Sequence, residues 1–286
     1  MSEFSLTAEN YYSIEANERF VSVSQYKSFM GRKSGESGCE CAALAEMRGE
    51  FVRPMSTAMM VGLYVDSYFE GTLPTFTAQH PEIFSSRGKT SGELKAEYKQ
   101  ASTMIDRAIK DELFMKYMAG NKQVIMSGEI EGVPFKIKID STDGKRITDL
   151  KTCRTLNPDS KDFFVYDKRT GEKVNFIDGW GYTLQMAAYR EIYRQNTGDT
   201  LPCFICAISK DKTENVPHPI ISVIEISPQM MDERLTEIKQ NITKIQDLKT
   251  GVIEPIACGI CDFCADTLPL IRPISVDELE IGMRGV

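Results

Sequence analysis

The sequence predicts one α+β domain in which helices surround a central mixed sheet. Three observations point there. Leu94, Tyr98, Ala101, Ile105 and Ala108 step by four and three, the period of an amphipathic helix, whereas Val133, Phe135, Ile137 and Ile139 alternate as a strand does. The 286 residues suit a single large domain, and no internal repeat, low-complexity segment or linker divides them. The composition, 42% apolar and 26% charged, is that of a globular protein and excludes disordered, collagen-like and coiled-coil chains.

The elements follow in order. Ser24 can cap a helix over 24–30, and residues 42–47 form another, with the Gly- and Ser-rich loop GRKSGESG between them. Residues 57–71 form a third helix. Residues 72–90, with Pro74, Pro81 and many polar residues, read as a loop, and 91–118 as one long amphipathic helix. The period then changes. Residues 122–131 and 133–140 flank Gly132 as an antiparallel hairpin, and 147–152 make a third strand. A polar stretch covers 157–173. A helix over 180–194, strands over 201–209 and 220–226 and a closing helix over 230–248 complete the core. The tail from Gly251 is irregular. The reading is thus a single domain over 1–286, with N-terminal helices (about 20–50) and a cysteine-bearing tail (251–286) packed on its core.

Composition narrows the function. No run approaches the roughly 20 apolar residues of a membrane helix. Glu3 and Glu9 precede the first basic residue, Arg19, so no export signal is read and a cytoplasmic location is expected. The net charge of −7 argues against non-specific coating of nucleic acid. It leaves room for a local basic cleft, or for carboxylates gathered round a cation. His80 and His218 are the only histidines; each sits beside a proline and is given no role. Eight cysteines in a reducing compartment read as metal ligands or buried thiols rather than disulfides.

The segment EIEGVPFKIKIDSTDGKRITDLKT carries the strongest chemical signal. Asp140 ends one strand on the polar face that Lys136 and Lys138 share. Asp149 and Lys151 share a face of the next strand, with Leu150 turned into the core. Carboxylates at two neighbouring strand ends can converge on a hard cation, Mg²⁺ or Mn²⁺, and the Leu150 carbonyl could add an oxygen. A lysine beside them can orient a water or offset charge on a phosphate, the arrangement for metal-assisted phosphodiester hydrolysis. Glu129, on the preceding strand, either completes the metal site or pairs with a lysine. The bland alternative is a solvated surface of acids and lysines. The segment 145–173, with eight Lys or Arg against five Asp or Glu, could guide a nucleic-acid backbone or could be a solvated loop.

Asp140 followed by Asp149-Leu150-Lys151 resembles the PD-(D/E)xK nuclease superfamily, although Ile139 stands where that motif has proline. The resemblance implies a restriction-endonuclease-like mixed sheet flanked by helices. Gln185 and Tyr189 in WGYTLQMAAYR match the Q-x-x-x-Y helix motif of the RecB-like branch, where they help hold the DNA backbone and the active site. Gly62-Leu-Tyr-Val-Asp66 has the spacing of that branch's G-x-x-x-H motif, with Asp66 in place of the metal-binding histidine. The chain is similar over most of its length, from VSVSQYKSFM to CGICDFC, to phage and prophage nucleases of the exonuclease VIII (RecE) type. The resemblance implies 5′→3′ exonuclease action on double-stranded DNA, a RecT-like single-strand annealing protein as partner, a homo-oligomer and a bacterial host cytoplasm. The alternative is a non-catalytic DNA-binding or iron–sulfur scaffold protein of the same fold.

Cys258, Cys261 and Cys264 form C-x-x-C-x-x-C, a spacing that lets three thiolates reach one centre; Cys39 or Cys41 could supply the fourth. The layout resembles RecB-like nucleases such as AddB and the CRISPR adaptation nucleases, which hold a [4Fe–4S] cluster with one N-terminal and three C-terminal cysteines. Cys39 is preferred by that resemblance, and zinc is the second choice of metal. Cys203 and Cys206 lie three apart on a strand, so they point to opposite faces and read as buried thiols, as does Cys153.

Overall fold

The computed structural model describes residues 4–33, 38–167, 170–213 and 216–280. Parts of the predicted loop at 31–38, of the basic segment at 145–173 and of the tail thus lie outside the described residues.

Two short helices open the chain, α1 (Ile14–Arg19) and α2 (Val23–Met30). Ser22 caps α2 rather than Ser24. Gln25 N donates to Ser22 Oγ and Ser22 N to Gln25 Oε1, which closes a capping box. Helices α3 (Glu40–Arg48) and α4 (Thr57–Glu70) follow. The predicted loop at 72–90 holds α5 (Leu73–Gln79), with Pro74 in the first turn, where a missing N–H breaks no helical bond. The single helix predicted over 91–118 is two, α6 (Ala96–Ile109) and α7 (Glu112–Met118). Asp111 makes the break. Its carboxylate accepts Phe114 N at 3.0 Å and starts a new helix instead of continuing the old one.

Strands β1 (Asn121–Ile130), β2 (Val133–Thr142) and β3 (Ile147–Cys153) come next. The polar stretch at 157–173 leads into a small ribbon, β4 (Phe164–Tyr166) and β5 (Lys173–Asn175), followed by α8 (Phe176–Gly179) and α9 (Tyr182–Thr197). Then come β6 (Cys203–Ser209), the short pair β7 (Lys212–Thr213) and β8 (Val216–Pro217), β9 (Ile221–Ile226) and the long α10 (Pro228–Thr250). The tail holds α11 (Asp262–Thr267) and α12 (Val276–Glu280).

The central sheet runs β1-β2-β3-β6-β9. Its β3–β6 pair is parallel, because the chain crosses over through α8 and α9 between them; the other pairs are antiparallel. The expected mixed sheet flanked by helices is what forms. One face packs Phe135, Ile137, Ile139 and Ile147 against α9, α10, α2 and α3. The other packs Leu150, Cys206 and Ile208 against α4, α6 and α7. Cys203 and Cys206 fall on opposite faces, each fully buried, as the strand period requires. Among the described residues, no helix is long and apolar enough to cross a membrane.

Candidate active site

The ladder between β2 and β3 has two register pairs, Ser141 with Thr148 and Thr142 with Ile147. Asp140 and Asp149 would be the next pair, and there the strands part. The Asp140 carboxylate takes the place of a ladder carbonyl, with Leu150 N donating to Asp140 Oδ2 at 2.9 Å. Asp149 and Lys151 share the face of Ile147, while Leu150 enters the opposite hydrophobic layer.

Each group is held from more than one side. Lys151 Nζ pairs with Asp149 Oδ2 and lies 3.3 Å from the Leu150 carbonyl. Gln185 Nε2 donates to Asp149 Oδ1 at 2.6 Å and lies 3.1 Å from the Tyr189 hydroxyl. Four residues apart on α9, Gln185 and Tyr189 present one face to β3. Tyr182, three residues before Gln185 on the same face, places its ring 4.9 Å from Lys151 Nζ. From α4, Asp66 reaches the same cleft of about 330 Å³, which Asp140, Asp149, Lys151, Gln185 and Tyr189 also line.

The cleft is electrostatically strained. Burial, with repulsion from Asp140 and Asp149, pushes the Asp66 carboxyl well above the usual carboxylate range, and Lys151 relieves only part of this. Asp149 is raised too, first by burial and then by Asp140, against the pull of Lys151. Burial works against the Lys151 ammonium, but Asp149 and Asp140 outweigh it and hold the group charged. Asp149 Oδ2 is buried and accepts no hydrogen bond of normal geometry. Three acids sharing a cleft suit a divalent cation, with Asp149 Oδ2 held by the Lys151 ammonium.

Glu129 stands apart from this group. The antiparallel register sets it against Pro134 at the turn end of the hairpin, exposed, with its backbone N–H donating to Gln195 Oε1 at 3.0 Å. The residue that reaches Asp140 from β1 is Gln123, whose Nε2 lies 2.6 Å from Glu70 Oε1 and 3.5 Å from Asp140 Oδ1. Glu70 is an acid the sequence reading passed over. Its signal was its place one turn beyond Asp66 on α4. Burial and Asp140 raise its carboxyl above the ordinary value. Tyr182 had a similar signal in its spacing from Gln185. Tyr11 and Tyr12 had none: they join the cleft wall by lying under Lys136 and Lys138, 4.7 Å and 4.8 Å from the ammonium groups.

A second cluster joins the chain's two ends. The ligand atoms of Cys39, Cys258, Cys261 and Cys264 all lie within 4.8 Å of one another and could hold a metal. Cys41 is outside the group, its thiol directed to the Pro255 carbonyl at 3.6 Å. Cys153 contacts the Thr155 and Ile208 carbonyls instead.

Residues 22–267 match the family described as a PDDEXK-like domain of unknown function (DUF3799). A crystal structure from Eubacterium rectale, named "Putative exonuclease", is 42% identical over 98% of this chain and 100% of its own, with a TM-score of 0.88. The structure of SSO0001 is 13% identical over 79% of this chain and 92% of its own, with a TM-score of 0.27. No curated protein matches the chain.

Proposed function

Because the chain belongs to the PDDEXK-like family DUF3799, we propose that it is a metal-dependent deoxyribonuclease, acting 5′→3′ as an exonuclease on double-stranded DNA in phage-type recombination. The observation that carries this is the meeting of Asp66, Asp140 and Asp149 with Lys151 and Gln185 in one cleft. The name of the similar Eubacterium rectale protein points the same way.

Asp66, Asp140, Asp149 and the Leu150 carbonyl would hold Mg²⁺ or Mn²⁺. Bound there, the ion would acidify a water and offset charge on the scissile phosphate. The chain's own groups do the rest. Lys151 stays protonated, is oriented by Asp149 and the Leu150 carbonyl, and can position the attacking water while offsetting phosphate charge. Gln185 fixes the Asp149 carboxylate, and Tyr189 fixes Gln185. Glu129 takes no part in this reading. The likeness to exonuclease VIII-type nucleases extends the proposal to a RecT-like annealing partner and a homo-oligomer in a bacterial cytoplasm.

Duplex DNA labelled at the 5′ end of one strand tests the reaction. Wild type with Mg²⁺ should release the label first as short products, and Lys151→Ala should release none while keeping its circular dichroism. Full activity in excess EDTA, or in Lys151→Ala, would overturn the assignment. Light scattering of the protein with duplex ends checks the oligomer: a monomer would remove that part of the proposal.

A further inference from the structure

Adjacent tyrosines near the start of the chain have opposite surroundings. Tyr11 is 6% exposed and Tyr12 69%, although both line the cleft that holds Asp66, Asp140 and Asp149. A tyrosine that only covers core is buried, as Tyr11 is. Single exposed aromatic residues are common and by themselves mean little. The position of Tyr12 means more, because the segment that presents it is fastened to the body of the protein on several sides.

Lys136 Nζ donates to the Tyr11 carbonyl and to Asn17 Oδ1, and Lys249 Nζ donates to the Asn17 and Phe20 carbonyls. Val21 N donates to the Pro134 carbonyl and Lys136 N to the Val21 carbonyl, each at 2.8 Å, so the segment also bridges to β2. Ser13, the residue after Tyr12, caps α1 by accepting Ala16 N at 3.1 Å. The Tyr12 ring meets that of Tyr11 nearly at a right angle, with centroids 4.9 Å apart. Lys138 Nζ lies 4.8 Å from its centroid. The outcome is an aromatic ring fixed on the cleft wall and left uncovered.

Lys138 links that ring to the acids. It stands one strand repeat before Asp140 on the same face of β2, about 6.6 Å along the chain. A phosphate held at the acids therefore has its neighbouring nucleotide beside Lys138 and Tyr12. Lys136 and Lys151 are engaged by the Tyr11 carbonyl and Asp149, whereas Lys138 lies against the two tyrosine rings. Such a pairing of aromatic ring and cation suits single-stranded nucleic acid, whose bases stack on rings while lysines meet the backbone. We propose that Tyr12 is the platform on which an unpaired nucleobase of the cut strand stacks, with Lys138 meeting the adjoining phosphate. This deepens the nuclease reading and rests on it. Every base has a π-face, so the platform holds DNA without choosing sequence.

The test uses the full-length protein and duplex ends as substrate. Tyr12→Phe keeps the ring and should keep the wild-type KM. Tyr12→Ala and Tyr12→Leu should raise KM at least about five-fold with kcat retained, because stacking on an aromatic ring holds ground state and transition state alike. Wild-type KM in Tyr12→Ala, or in Tyr12→Leu, which keeps apolar bulk without a ring, would overturn the platform. So would a fall in kcat at unchanged KM. Lys138→Met should make the slope of log K against log salt shallower by about 0.9, the share of one phosphate, and an unchanged slope would remove Lys138 from the proposal. A measurement independent of cleavage covers the case of a variant that misfolds. Duplex carrying 5-iodouracil at its terminal positions, irradiated with wild type in Ca²⁺, should become attached to Tyr12, as peptide mass spectrometry would show. Attachment only at other residues, or none, would overturn the proposal. Wild type that attaches at Tyr12 but cuts no DNA would instead sink the nuclease reading and leave the base contact standing.

Discussion

At the scale of single residues, the site is a matter of which side chains orient which. Gln185 touches Asp149 Oδ1 at 2.6 Å and has no need to touch substrate. Removing such an outer partner of a metal ligand typically costs about 10–100-fold in metal affinity or activity, so Gln185→Ala should lose that much with an unchanged fold. Mg²⁺ titration of the cleavage rate checks it, and wild-type Mg²⁺ dependence would refute the role. Asp140, Asp149 and Lys151 could be grouped because period two fixes which strand residues share a face, whereas Gln185 and Tyr189 were singled out by their resemblance to a helix motif and share a face through period 3.6. Glu129 was misleading for the same reason that Gln123 was invisible: an antiparallel register reverses the strand, and only the fold shows which end of β1 meets Asp140. A second prediction concerns Lys136, buried at 1% exposure, which donates to the Tyr11 carbonyl at 2.5 Å and to Asn17 Oδ1 at 2.8 Å. Burial depresses its pKa to about 8, and burial with Lys136 nearby does the same to Lys249. An unfolded lysine titrates near about 10.4, so between these values the unfolded chain binds more protons and these lysines add stability as pH rises. Cys153, Cys203 and Cys206, pushed up to about 12 by burial, act with the opposite sign over part of the range. The measurement is therefore the difference between wild type and Lys136→Met. Denaturant midpoints should move in favour of wild type from pH 8 to pH 10, and a constant difference would refute the account.

At the scale of elements, two faces of the sheet contribute to one cleft because β2 and β3 part after two register pairs. Helix α4 delivers Asp66 and Glu70 from one layer, and α9 delivers Gln185 from the other. Nothing in the sequence marks where a ladder ends. Helix boundaries were partly legible: the apolar steps of 91–118 continue through Asp111, and periodicity alone cannot show that its carboxylate stops one helix and caps the next. Asp111→Ala should therefore cost about 1 kcal/mol of stability through the lost cap, without altering cleavage. Urea unfolding checks this, and an unchanged midpoint would mean that α6 and α7 need no break. The arrangement also separates the acids. Glu70→Gln should weaken the Mg²⁺ dependence of cleavage, since Glu70 shares Gln123 with Asp140, while Glu129→Gln should leave it as in wild type. Equal effects from the two would refute the register argument.

At the scale of the whole molecule, the charge of the chain and the charge of the cleft differ. The chain carries −7, and composition alone argued against coating DNA. Composition says nothing of where charges gather. Lys27, Lys136, Lys138 and Lys151 line the cleft together with Glu46, Asp66, Asp140 and Asp149, so the cleft is balanced rather than basic. Much of that positive charge is committed within the protein: Lys136 serves the N-terminal segment and Lys151 serves Asp149. A bound divalent cation would tip the balance toward phosphate. Duplex binding should thus need the cation, and Ca²⁺, with its looser coordination, should support binding better than cleavage. Few phosphates can be neutralised in such a site. With about three contacts, the slope of log K against log salt should be near −3, since each contact contributes about −0.9. Fluorescence anisotropy of a labelled duplex in Ca²⁺, over a salt series, measures it. A slope near −8, or equal affinity in EDTA, would mean that a basic surface outside this cleft holds the DNA, and the cleft would then have to be reassigned from binding the duplex to cutting a strand delivered from elsewhere.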